Sequence, residues 1–187
     1  IGSFDPVTGE YLDGTREDIN KLLLLVNRST LPCFTPMARL LRKFDRPDLA
    51  IQAATRHLDE EPDDIAALTT RGAAHTDLGH LHDATRDHQR GYEIKPDSSY
   101  LLNAFSRTRQ EDGRLEEALE LARRAFEIDQ SRFTARRLIS AARAMRDAGA
   151  AEEALRILES LPDSASGPGV DQMLVALAAL VHMRMGR

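Results

Sequence analysis

A period of thirty-four residues runs through most of the chain and restricts its fold more than any single side chain does. Ala50, Ala84 and Ala118 lie at that interval, and each follows a turn-forming residue, Asp45, Gly79 or Gly113, by five positions. Gly149 and Ala154 repeat the internal five-residue spacing, two residues late. Independent markers that keep one phase are the signature of a stacked repeat.

Helical spacing explains the markers. In the second copy Leu68, Gly72 and His75 fall on one face of a helix that Gly79 ends. Ala84, His88 and Gly91 mark the facing side of the next helix, and Pro96 closes the unit because proline cannot continue a helix. Small residues at Gly72, Ala84 and Gly91 let two antiparallel helices approach closely. The first copy places Phe34, Met37, Ala38, Leu41, Ala50, Ala54, His57 and Pro62 at the corresponding positions. Each copy is therefore a helical hairpin with an apolar face that only a stacked neighbour covers. Alanine and leucine are abundant and β-branched runs are missing, so almost no sheet is expected.

This pattern resembles the tetratricopeptide repeat family: a large residue, then Leu-Gly, Tyr, Ala, Phe, Ala and Pro at set places in thirty-four residues. The resemblance spans about residues 31–161, as copies at 31–64, 65–98, 99–132 and 135–161, the last after a two-residue insertion around 131–134. It implies an all-α, right-handed superhelical solenoid of antiparallel helix pairs. Four residues depart from the family pattern: Arg71 stands for an aliphatic residue, Ser106 for glycine, Arg109 for an aromatic and Gln130 for proline.

The ends are less regular. Residues 1–14, with Phe4, Pro6, Gly9, Tyr11 and Gly14, read as an extended N-terminal arm, and Thr15 with Asp18 would cap a helix within 15–30 that covers the first repeat. Residues 162–169 read as a flexible break. Residues 170–187 read as an apolar capping helix or the first helix of a fifth repeat. The chain begins with Ile1 and stops at Arg187, where a second helix would follow, so it is expected either to end on a cap or to be a piece of a longer protein.

Such arrays bind ligands on the concave surface, which the first helix of each hairpin lines. The faces left free by packing present Arg39, Arg42 and Lys43 from the first copy, and Thr69, Thr76 and Asp77 from the second. The third offers Tyr100, Asn103, Arg107 and Glu111, and the fourth Arg136, Arg143, Arg146 and Asp147. Basic side chains outnumber acidic ones on this face, although the whole chain has 30 acidic and 25 basic residues and a formal charge of −5. Guanidinium groups hold carboxylates through two parallel hydrogen bonds. Asn103 offers both a donor and an acceptor, and Tyr100 a stacking surface. The expected function is a scaffold that binds an acidic or carboxylate-bearing peptide of a partner protein, with affinity that falls as salt rises. A self-assembling structural module is the alternative, with Leu174, Leu177, Leu180 and Val181 of the last helix packing on a second copy to give a homo-oligomer. The recognition domain of a larger enzyme is another.

Other functional classes find less support. Cys33 is the only cysteine, so no internal disulfide forms and a cytoplasmic, intracellular location is expected. The longest apolar stretch, 173–181, is too short to span a bilayer. Nucleic acid is disfavoured by the acidic balance and the scarcity of groove aromatics. His75, His80, His82 and His88 crowd into one hairpin, but His75 and His88 stand where the repeat pattern places Tyr and Phe and are read as packing residues. No metal, cofactor or catalytic residue is expected, because no nucleophile pair, phosphate loop or paired carboxylates stand out.

Overall fold

A computed structural model of the chain describes residues 4–5, 10–11, 34–145, 149–150, 152–153 and 156. The segments 15–30, 162–169 and 170–187, together with Cys33, Arg146 and Asp147, lie outside the described residues. Near the N-terminus, β1 (Phe4–Asp5) pairs antiparallel with β2 (Glu10–Tyr11), Phe4 opposite Tyr11. Within the segment expected as an extended arm, the described residues are thus two short paired strands.

Seven helices follow among the described residues: α1 (Phe34–Lys43), α2 (Pro47–Glu60), α3 (Ile65–Asp77), α4 (Leu81–Ile94), α5 (Ser99–Glu111), α6 (Leu115–Ile128) and α7 (Arg132–Met145). They pair as α1–α2, α3–α4 and α5–α6, and α7 packs on α6. The all-α solenoid implied by the resemblance is the observed architecture.

The three turns share one construction. Asp45, Gly79 and Gly113 have φ of 59°, 75° and 77°, in the left-handed region that ends helices. At each turn the next amide bonds back to the carbonyl five residues earlier: Arg46 to Leu41, His80 to His75 and Arg114 to Arg109, all at 2.9 Å. The turn residue itself bonds to the carbonyl three before it, so two orphan carbonyls are satisfied each time. Ala50, Ala84 and Ala118 follow on the second helix, each fully buried. Asp64 and Ser98, thirty-four apart, cap α3 and α5 by accepting from the amides of Ala67 and Leu101.

The fourth copy departs from the expected register. Helix α7 begins at Arg132, thirty-three residues after the start of α5 at Ser99, so the repeat is shortened by one residue there rather than lengthened by two. Gly149, expected as a fourth turn residue, is helical, and lies thirty-four residues after the start of α6 at Leu115.

First helices pack on first helices, α1 on α3, α3 on α5 and α5 on α7, whereas second helices meet mainly the first helices on either side. Close spacing on one side and wider spacing on the other curves the stack, and the closely spaced row α1–α3–α5–α7 lines its inner face. Leu41, Leu101, Leu102 and Leu138 fill the core between them, almost fully buried.

The departures from the family pattern are absorbed by specific partners. Arg71 meets Asp87 through two hydrogen bonds (Nε–Oδ2 2.8 Å, Nη2–Oδ1 2.7 Å), joining α3 to α4 where an aliphatic contact would otherwise stand. Arg109 stacks over Phe105, 4.6 Å from the ring centroid, and pairs with Glu117. Ser106 is fully buried and donates to the Ala118 carbonyl at 2.7 Å, a helix approach that only a small residue permits. Gln130 simply follows the end of α6 in solvent.

Gly72 marks the tightest contact between paired helices, since a Cβ there would sit 2.6 Å from the His88 ring. Gly72→Ala is expected to cost about 1–3 kcal/mol of stability in urea unfolding, because the buried ring has no room to retreat. Asp45→Gly should instead add about 0.5–1 kcal/mol by relieving a side chain held at positive φ.

Candidate functional site

The inner face holds a pocket of about 530 Å³ to which all four first helices contribute. Arg42 comes from α1, Ala73 and Thr76 from α3, Tyr100, Asn103, Ala104 and Arg107 from α5, and Phe133, Arg136, Arg137 and Ser140 from α7. The structure thus brings together six residues expected from sequence: Arg42, Thr76, Tyr100, Asn103, Arg107 and Arg136. Arg39 is exposed beside them, its guanidinium 4.7 Å above the Tyr100 ring. Tyr100 in turn stacks on Phe133, with centroids 6.3 Å apart and planes 18° from parallel. Phe133 remains 54% exposed, so the aromatic face is open to a ligand.

Other expected residues do not join the pocket. Lys43 and Arg143 are exposed but do not line it. Thr69 is fully buried, and its hydroxyl donates to the Ile65 carbonyl at 2.6 Å. It shares the face of α3 that carries Ala73 and Thr76, one turn before Ala73, and its burial there withdraws it from the pocket. Thr76 lines the pocket, but its hydroxyl is already engaged with the Gly72 carbonyl and with Thr108.

The register of α7 explains what sequence reading missed. Shifting the α5 positions Tyr100, Ala104 and Arg107 by thirty-three residues gives Phe133, Arg137 and Ser140, all in the pocket. A two-residue insertion shifts Arg107 and Gln110 by thirty-six instead and points at Arg143 and Arg146. Sequence alone offers no marker at the α6–α7 junction, because the usual proline is Gln130.

Arginine is not equally available along the groove. Asp77, at the end of α3, takes Arg42 Nε on Oδ2 at 2.7 Å and Arg107 Nη1 on Oδ1 at 2.6 Å. Burial pushes the Asp77 carboxyl up, but the two guanidinium groups outweigh it and hold the group below the usual carboxylate range. On the α7 side no carboxylate pairs with Arg136 among the described residues. Arg137 is half-buried, and its Nη1 is shut from solvent and has no hydrogen-bond partner among the described residues. Burial, with Arg107 nearby, lowers its pKa, and Glu111 offsets this in part. Asn103 Oδ1 is likewise buried without a donor. A polar atom left so costs about 1–3 kcal/mol, which a ligand that satisfies it returns.

Beneath the pocket a polar chain ties three helices together. Thr76 Oγ1 meets Thr108 Oγ1 at 2.7 Å, and Thr108 meets His88 Nδ1 at 3.1 Å. His88 is fully buried, and burial lowers its pKa to about 4. Among the described residues, His57, Glu61 and Asp64 form a separate group with one possible metal-ligand atom each, all within 4.8 Å of one another. It sits at the α2–α3 connection, where Asp64 also caps α3, and it contributes nothing to the pocket. The histidines singled out from sequence behave differently: His80 and His82 are exposed, while His75 and His88 pack between helices. No described helix is long and apolar enough to cross a membrane.

No family model and no curated protein matches this sequence. Solved structures do match. A thermophilic tetratricopeptide repeat protein of Thermus thermophilus superposes with a TM-score of 0.70 at 15% identity, over 89% of this chain and 91% of that one. The first such domain of human RPAP3 gives 0.56 at 19% identity, over 60% of this chain and 90% of its own. The corresponding domain of Spaghetti (RPAP3), bound to the HSP90 peptide SRMEEVD, gives 0.53 at 19% identity, over 68% of this chain and 95% of its own. The chain has the fold of tetratricopeptide-repeat domains.

Two outcomes follow from the buried polar groups. The unfolded chain protonates His88 near 6.5, whereas the folded chain resists protonation down to about 4. The unfolded state therefore binds more protons between these values. The stability that neutral His88 contributes is complete above pH 6.5 and is lost as pH falls towards 4, by about 3 kcal/mol in all. His88→Gln should flatten that part of the stability profile measured by denaturant titration. Arg137→Met, which removes a half-buried cation whose enclosed Nη1 has no hydrogen-bond partner among the described residues, is expected to raise stability by about 1 kcal/mol.

Proposed function

We propose that the chain is a protein-binding scaffold whose inner groove captures a segment of a partner through a carboxylate. The observation that carries this reading is Arg137: a half-buried guanidinium in a pocket wall, with Nη1 enclosed and without an acceptor among the described residues. A charge in that position costs stability, and an anionic ligand with a planar carboxylate is its natural complement. Arg136 next to it supplies a second donor group.

The rest of the pocket suits an extended peptide. Asn103 Oδ1 needs a donor, which a peptide N–H provides. Ala73 and Ala104 keep the floor low, so a backbone has room to lie against α3 and α5. The Tyr100–Phe133 stack offers an apolar surface beside the cations. A domain of the same fold holds the acidic peptide SRMEEVD, which supports an acidic segment as the ligand class here. The chain itself acts as a binding module and performs no chemistry.

A peptide-array screen followed by fluorescence anisotropy tests this. Acidic peptides should bind the wild type, weaken as salt rises, and lose about 10–100-fold in affinity to Arg137→Met while that variant stays folded. Equal binding by the wild type and Arg137→Met would exclude the α7 wall as the anion receptor.

A further inference from the structure

We infer that Asp77 acts as a built-in competitor carboxylate that lowers what the groove gains from a second acidic group on a ligand. The inference rests on the groove reading above. Asp77 already sits where a ligand carboxylate would sit, between Arg42 of α1 and Arg107 of α5, with one oxygen on each. Both guanidinium groups belong to the pocket wall. The groove therefore has two unlike halves. The α7 half presents Arg136 and Arg137, to which no carboxylate is paired among the described residues. The α1–α5 half presents two arginines that share the chain's own acid, each giving it one nitrogen.

The consequence is selective. A first ligand carboxylate meets Arg136 and Arg137 without displacing anything. A second one, reaching towards α3, finds one nitrogen of each arginine taken and meets the negative charge of Asp77, so it gains less than the first. Specificity built this way works by competition as well as by attraction. It favours a segment whose one acid is followed by neutral residues over Ala73 and Thr76, and it gives a second acid little further affinity. The two halves are about two helix spacings apart, roughly 18 Å between axes, less the reach of the arginine side chains. An extended chain covers this remainder with about four residues.

Two labelled dodecapeptide probes on a neutral Ala/Thr/Leu background separate the possibilities. One carries a single glutamate and the other carries two, four residues apart. Anisotropy titrations compare the wild type with Asp77→Asn, which keeps the side-chain shape and removes the charge. The expected result is that Asp77→Asn tightens the two-glutamate probe by about tenfold and the one-glutamate probe by less than about twofold. Adding Arg42→Gln and Arg107→Gln to Asp77→Asn should return the two-glutamate probe to wild-type affinity. That back-cross identifies the freed arginines as the cause, which a general change in charge or stability would not do.

The inference is overturned if Asp77→Asn alters both probes equally or neither, or if the back-cross leaves the gain intact. In those cases binding of the one-glutamate probe by the wild type, and its loss in Arg137→Met, leaves the groove reading standing. If neither probe binds either folded protein, the groove reading itself fails and takes this inference with it. Thermal melts of each variant confirm that the comparison is between folded proteins.

Discussion

Each hairpin pivots on one residue held in the left-handed backbone region, and the register of the whole solenoid is inherited from that pivot. At Asp45, Gly79 and Gly113 the chain reverses with the same pair of backbone bonds, so the following helix starts at the same angle each time. The buried alanine five residues on can then sit against the preceding helix in every copy. Because successive hairpins are equivalent, their first helices fall into one row and their second helices into another. The curvature of the stack, and with it the inner pocket, follows from the closer spacing of the first row.

Within this frame the chain substitutes polar contacts for several apolar ones that the repeat pattern calls for. Arg71 with Asp87, Arg109 with Phe105 and Glu117, and the Thr76–Thr108–His88 chain all occupy positions between packed helices. Such contacts tolerate less misalignment than hydrocarbon packing does, since each atom needs its partner at bonding distance. They specify one arrangement of α3, α4 and α5, the helices that carry the floor of the pocket and Asp77.

The groove shows the opposite economy. In its α1–α5 half Asp77 takes one nitrogen each from Arg42 and Arg107, whereas the half-buried guanidinium of Arg137 on α7 and the amide oxygen of Asn103 on α5 include atoms without partners among the described residues. Buried polar atoms without a hydrogen-bond partner among the described residues also occur away from the pocket, at Thr35, His75, His88 and Arg109, but Asn103 and Arg137 are the ones whose residues line it. Stability is given up locally at Arg137, and the same residue confers the chemical character of the site.

The period, the turn residues, the helix pairs and the row of helices that faces inward were all legible in the sequence. Each depends on local backbone geometry and on which residues are small enough to pack, and both recur with the repeat. Arg42, Tyr100, Asn103 and Arg107 were legible for the same reason, whereas Arg136 was named from a register that the structure replaces and lines the pocket at the place of Asn103 instead. Three things were decided only by tertiary structure. The register of α7 was one, because nothing local marks a single missing residue at a junction without its proline, and so Arg137 and Phe133 stayed hidden. The burial of Thr69 was another, since one turn of a helix separates groove from core. The last was the pairing of Asp77 with Arg42 and Arg107, thirty-five and thirty residues away, which no spacing within a repeat encodes. By itself the sequence determined that the inner face would be rich in arginine. Which of those arginines the chain's own carboxylate engages depended on distances between side chains that only stacking brings into reach.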